Sequence, residues 1–335
     1  MSFRGLVLSL LCLMMAGGAA AQQACDLPVD VVGVEKGKTN GGIIRGLQAS
    51  DLSVTIKGGE HVPVGSLTYD AGPRRILFVI DTARELPADA RKAEAQIAVY
   101  LLAHARPMDS FALITARGTA REVKFEQGRD AVKEAVQDLS NDPKGEKSNG
   151  LGVLDAVERG IEWMGSPKPG DAIFLLVMDS EGNHKTNVKK IAQELEEHHI
   201  RLFGIAFGFV NMNSSVKSYQ DFTHLGMGES KPLVGEMQVN TGDQNLAPLV
   251  LNSGGFLHAL DTMNERHVFK LSESMPGLQQ AGMQFYQIIA EYYHMKVNVP
   301  GHLTNWTVNL SETGLQKWTP YLSVYPQTVN SCKGE

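Results

Sequence analysis

Arg75-Ile76-Leu77-Phe78-Val79-Ile80-Asp81-Thr82-Ala83-Arg84-Glu85 is an apolar run that ends on an aspartate and passes into polar residues. A strand that is apolar at every position, rather than at every second one, is buried on both faces, as the strands of a parallel sheet are. Downstream, from about Pro87 to Ala105, Ala90, Ala93, Ile97, Tyr100 and Leu101 recur at spacings of three and four and predict a helix. The unit then repeats. A strand at 110–115, a β-type piece at 122–125 and helices near 129–139 and 151–164 lead to a second core strand, Ala172 to Met178, which also closes on an aspartate, Asp179. A charged amphipathic helix at 188–198, a strand at 201–207, a short helix near 244–251, a strand-like 255–259 and a helix near 282–292 follow. This alternation predicts an α/β fold, a doubly wound, mostly parallel sheet flanked by helices, Rossmann-like in architecture.

On either side the pattern changes to β. Residues 30–69 carry short β-type segments, among them Leu52-Ser53-Val54-Thr55-Ile56, between glycine turns at Gly41-Gly42 and Gly58-Gly59. The tail returns to β character at 295–299, 306–310 and 322–325, so a small β element built by both flanks is expected. The divisions are therefore a leader at 1–21, an N-terminal β flank at 22–72, the α/β domain at 73–292 and a C-terminal β flank at 293–335.

The leader is read from Arg4, the apolar Leu6 to Met15 and the small Ala19-Ala20-Ala21, the pattern of a cleavable secretory signal. Export to the periplasm or the extracellular space is expected, with no membrane span, since an apolar run of about ten residues falls short of the roughly 20 a bilayer requires. Loss of the leader removes Cys12 and leaves Cys25 and Cys332. In an oxidising compartment two cysteines suggest one disulfide tying the ends together, worth roughly 4 to 5 kcal/mol on the chain-entropy account; the alternative is two unpaired thiols. The formal charge of −6 becomes −7 without Arg4, and no basic run or basic amphipathic helix occurs, which argues against nucleic acid as a partner.

Asp81 and Asp179 both follow strongly apolar strands. In an open parallel sheet the carboxyl ends of the strands form the ligand crevice, and two carboxylates there suit Mg²⁺ or Ca²⁺. Helix capping is the alternative role for an acidic residue after a strand. In the same crevice Asp179-Ser180-Glu181-Gly182-Asn183-His184 is a polar turn, with Ser180 and His184 placed to meet a ligand. The Gly208 to Asp243 region is long for a connection inside a domain, and loops of that length tend to carry function.

These segments resemble the von Willebrand factor type A domains, and especially exported bacterial proteins that set such a domain between β flanks. The family places metal ligands on three loops: Asp-x-Ser-x-Ser after the first strand, a threonine in a second loop and an aspartate after the fourth strand. Ile76 to Glu85 resembles the first, Asn149 to Ala156 the second and Leu175 to Ser180 the third. Asp81 and Asp179 match the pattern, whereas Ala83 and Glu85 stand at the serine positions and Leu151 at the threonine position. A metal-ion-dependent adhesion site would draw on Asp81, Glu85, Ser148 and Asp179, but with three hydroxyls missing the site is expected to be degenerate. No cofactor is expected beyond weak Mg²⁺ or Ca²⁺.

The resemblance implies a non-enzymatic module that binds a protein partner through the crevice, with Asp81, Glu85, Asp179, Ser180 and His184 as ligand-binding residues. One alternative is a structural or assembly component of the cell envelope with a vestigial site. A metal-dependent hydrolase is the remaining one, without a Ser-His-Asp or Cys-His arrangement or a nucleophile elbow in its favour.

Overall fold

The computed structural model describes residues 23–34, 41–56, 59–83, 88–141, 151–178, 187–208, 210–211, 238–239, 246, 249–250, 253–255, 257–261, 271–299, 306–318, 323–325 and 328–329. The expected leader, Glu85, Ser148, Asp179, Ser180, His184 and Cys332 lie outside them.

The N-terminal flank supplies β1 (Gln23–Val34), β2 (Gly41–Ile43), β3 (Leu52–Thr55) and β4 (His61–Asp70). The domain runs through β5 (Arg75–Asp81), α1 (Ala88–His104), β6 (Ser110–Ala116), β7 (Glu122–Val123), α2 (Gly128–Asn141) and α3 (Val153–Met164). It continues with β8 (Ala172–Met178), α4 (Val188–Glu197), β9 (Arg201–Gly208), the short pair β10 (Val210–Asn211) and β11 (Gln238–Val239), β12 (Leu257–Asp261) and α5 (Leu271–Ala290). The chain returns to the flank as β13 (Tyr292–Val299), β14 (Trp306–Leu310), α6 (Glu312–Lys317), β15 (Ser323–Tyr325) and β16 (Thr328–Val329).

The domain sheet has the order β12-β9-β8-β5-β6-β7, parallel except at the β7 edge. Successive residues of β5 face opposite layers, which explains why Ile76 to Ile80 include no polar residue. Ile76, Phe78 and Ile80 join the core covered by α1, α2 and α5, where Phe78 stacks on Phe111 with centroids 5.7 Å apart. Leu77 and Val79 join the core under α3 and α4. Burying each such side chain contributes about 1.5–3 kcal/mol. From β5 the chain steps outward to β6, then crosses to β8 on the other side, so the strand order reverses between β5 and β8. The crevice of a doubly wound sheet forms at that reversal, and Asp81 ends one of its two strands.

The flank sheet has eight strands, ordered β15-β1-β13-β4-β3-β14-β16 with β2 beside β1, and is larger than the small element expected. Exposed and buried residues alternate from His61 to Gly65 in β4, as in a strand with one solvated face, and this reads as short β pieces in sequence. Two helical boundaries also differ from expectation. α5 starts at Leu271 because Pro276-Gly277, a breaker pair by composition, is carried within a helix whose Met275 packs on the first core layer. α6 was not expected; the Ser311 hydroxyl caps it, accepting from Gly314 N–H at 3.0 Å, and the buried Asp51 holds it through Lys317 and Trp318.

Charged residues stand at the amino ends of the parallel strands and tie the layers together. Arg74 N–H at the start of β5 donates to Asp109 Oδ1 before β6 at 2.9 Å, and Arg75 Nε to Asp171 Oδ1 before β8 at 2.8 Å. At β9, Arg201 reaches into the flank sheet and donates to both oxygens of Asp30 on β1, at 3.2 and 3.0 Å, and to Ile288 O at 3.3 Å. Its guanidinium lies 4.3 Å from the Tyr292 ring centroid. Burial pushes the Asp30 carboxyl up to about 7, against the pull of Arg201 and Arg74.

Candidate functional site

Asp81 closes β5 with a side chain that has no exposed surface. Its Oδ1 accepts the Ala83 backbone N–H at 2.9 Å, the local hydrogen bond by which an aspartate turns the chain out of a strand. Its Oδ2 accepts from the guanidinium of Arg117, the residue that follows β6. The carboxylate expected to face a ligand is thus buried and paired with a cation of the protein itself.

Arg117 holds this position at a conformational cost. Its φ is 59°, in the left-handed region that a residue with a Cβ rarely adopts. Its backbone N–H donates to Leu151 O at 2.9 Å, so one residue bonds the first loop through its side chain and the second loop through its backbone. The next residue must be glycine: a Cβ on Gly118 would lie 1.9 Å from Thr82 O. Thr82 N–H in turn donates to Ala116 O at 2.9 Å. The turn after β6 is strapped onto the turn after β5.

Beneath them α1 contributes two charged residues from what is otherwise an apolar stripe. Arg91 Nη1 donates to Ala83 O at 3.2 Å. Glu94, one turn further along, has no exposed surface, and neither of its carboxylate oxygens has a hydrogen-bond partner among the described residues. Burial first, and then the nearby Asp81 carboxylate, push the Glu94 carboxyl well above the usual carboxylate range, with Arg117 and Arg91 pulling the other way. An unsatisfied buried group of this kind costs about 1–3 kcal/mol, and such costs gather at functional sites rather than in framework regions.

Of the residues expected to form the site, Asp81 is the one among the described residues, while Glu85, Ser148, Asp179, Ser180 and His184 fall outside them. Arg91, Glu94 and Arg117 went unrecognised in the sequence. Glu94 was legible: it lies four residues after Ala90 and three before Ile97, on the buried face of α1. Arg117 bears only the weak signal of an Arg-Gly pair ending a strand. The turn Ser253-Gly254-Gly255, which leads into β12, is a packing device. Ser253 Oγ accepts from Leu202 N–H at 2.8 Å and donates to Val250 O at 2.7 Å, and a Cβ on Gly255 would lie 1.5 Å from Leu202 O.

Residues 76–224 match the sequence profile of the von Willebrand factor type A domain. No curated protein matches the chain at a significant level. Among solved structures, the conserved hypothetical protein BatB from Bacteroides thetaiotaomicron is 15% identical, with a TM-score of 0.37 over 65% of this chain and 98% of that one. An aerotolerance-related membrane protein from Bacteroides fragilis NCTC 9343 is 14% identical, with a TM-score of 0.39 over 65% and 98%. Proximal thread matrix protein 1 from the mussel byssus is 11% identical, with a TM-score of 0.40 over 73% and 51%. Likeness at this level carries nothing about activity or partner.

Proposed function

Since the chain carries a von Willebrand factor type A domain, a unit that commonly mediates protein interaction or adhesion, we propose that it is an exported, non-enzymatic binding module that engages a protein partner at the carboxyl edge of its sheet without a bound metal. The observation that supports a metal-free site is the state of Asp81, whose Oδ1 accepts from Ala83 N–H and whose Oδ2 accepts from Arg117. Ala83 and Leu151 add methyl groups where hydroxyl oxygens would be needed, so the described residues do not fit a divalent cation, which takes six or more oxygens. A buried Asp81 also shifts the contact role to Asp179, Ser180 and His184. Alanine at Asp179 and His184 is expected to abolish retention of the purified partner while leaving the melting temperature unchanged, and chelator is expected to leave retention intact. Retention that vanishes in chelator would sink the metal-free reading; retention indifferent to both substitutions would move the contact elsewhere.

Export rests on the pattern of residues 1–21. Among the described residues no helix is long and apolar enough to cross a membrane. A Cys25–Cys332 bridge belongs to the same reading. Cys25 lies in the flank core at 2% exposure.

A further inference from the structure

The two motif positions that have lost their hydroxyls, Ala83 and Leu151, still offer backbone carbonyls, and an arginine takes each of them. Arg91 Nη1 donates to Ala83 O at 3.2 Å, and Arg117 N–H donates to Leu151 O at 2.9 Å. The Arg117 guanidinium at the same time pairs with Asp81. A divalent cation bound between such loops would neutralise their carboxylates and tie one loop to the other. We infer that Arg117, assisted by Arg91, is a built-in substitute for the cation, so that the loops of the carboxyl edge are locked permanently rather than by ion binding. Arg91 and Arg117 bring two positive charges, those of a divalent ion, to the Asp81 carboxylate and the Ala83 carbonyl, with Asp81, Arg91 and Arg117 at most 8% exposed. Guanidinium groups need acceptors only, and the carbonyl and carboxylate oxygens that these loops keep supply them. The left-handed φ of Arg117 and the bare Gly118 against Thr82 are the backbone adjustments that let a residue from the turn after β6 reach this place.

The inference deepens the metal-free reading above and rests on it, yet it is tested with Mn²⁺ and Mg²⁺ alone, so it fails or stands independently of partner capture. The full chain and Arg117→Ala are each melted with and without millimolar cation, and Mn²⁺ binding is followed by its paramagnetic resonance signal. The wild type is expected to show no shift and no bound Mn²⁺. Arg117→Ala is expected to melt about 6–12 °C lower, because a buried carboxylate loses its partner, and to recover part of that loss with Mn²⁺. The recovery should disappear in Arg117→Ala combined with Asp81→Asn. Wild-type stabilisation by cation that Asp81→Asn removes would overturn the inference, as would an Arg117→Ala protein indifferent to both cations. If Arg117→Ala does not fold in metal-free buffer, refolding with and without Mn²⁺ decides the matter: rescue supports the inference and equal failure overturns it.

Discussion

Each edge of the domain sheet carries a buried arginine–aspartate pair, and the two are built differently. At the amino edge Arg201 gives hydrogen bonds to both oxygens of Asp30 and to Ile288 O, and its guanidinium lies over the rings of Tyr292 and Phe203. At the carboxyl edge Arg117 reaches Asp81 from a strained backbone, beside a Glu94 whose oxygens have no hydrogen-bond partner among the described residues. Both pairs are desolvated, so burial alone does not separate framework from site. What separates the two pairs is satisfaction: both Asp30 oxygens accept from Arg201 across the junction of domain and flank, whereas the Asp81–Arg117 pair is held by a left-handed backbone and has the buried, unsatisfied Glu94 beside it.

The sharpest way to break this contrast is to remove the amino-edge arginine. Arg201→Ala strands Asp30 in the interior and is expected to cost about 3–5 kcal/mol in urea unfolding. A loss under about 1 kcal/mol would mean that the junction does not bear on stability as its geometry indicates.

At the carboxyl edge the opposite sign is expected. Glu94→Gln, which replaces a costly carboxyl with a neutral amide, should leave the fold intact and stabilise it by about 1–2 kcal/mol at neutral pH. The pH dependence follows from the direction of the shift. With its carboxyl raised in the native state, Glu94 binds a proton more tightly folded than unfolded. Its contribution is therefore complete below the ordinary value of 4.5 and declines as pH rises above it. Asp30 adds a decline of the same sign between 3.8 and about 7. Glu94→Gln should flatten one part of the slope and Asp30→Asn the other, read from urea midpoints across pH. An unchanged slope in Glu94→Gln would show that the carboxyl is not held protonated.

The smallest effect is expected at the surface, where Arg159 pairs with Glu122 at side-chain exposures of 43 and 42%. Arg159→Ala should cost less than about 1 kcal/mol and lose its effect in high salt. A larger, salt-insensitive loss would blur the line drawn between buried and exposed pairs.

The layered sheet was legible because burial on both faces leaves its mark on every residue of a strand: Ile76 to Ile80 and Ile173 to Val177 admit no polar side chain. The place of Asp81 at the carboxyl end of β5 was legible too, since an aspartate ending such a strand is placed by topology. Less visible was the flank sheet, where β13 from the C-terminal side inserts between β1 and β4 from the N-terminal side. Pairings across more than 200 residues leave no local trace. The amino-edge charges had a signal, a charged residue just before each apolar strand at Arg74-Arg75, Asp109, Asp171 and Arg201, but its meaning depends on which strands become neighbours.

By itself the sequence determined the α/β domain, the position of Asp81 at the carboxyl edge and the loss of hydroxyls at Ala83 and Leu151, because side-chain chemistry and periodicity are local properties. Only the tertiary structure decided what stands beside Asp81. Arg117 lies 36 residues away on another loop, and the parallel pairing of β5 with β6 brings it into contact. Whether a buried carboxylate meets an arginine or an ion is set by that pairing in space, where the energy of a charge depends on what surrounds it.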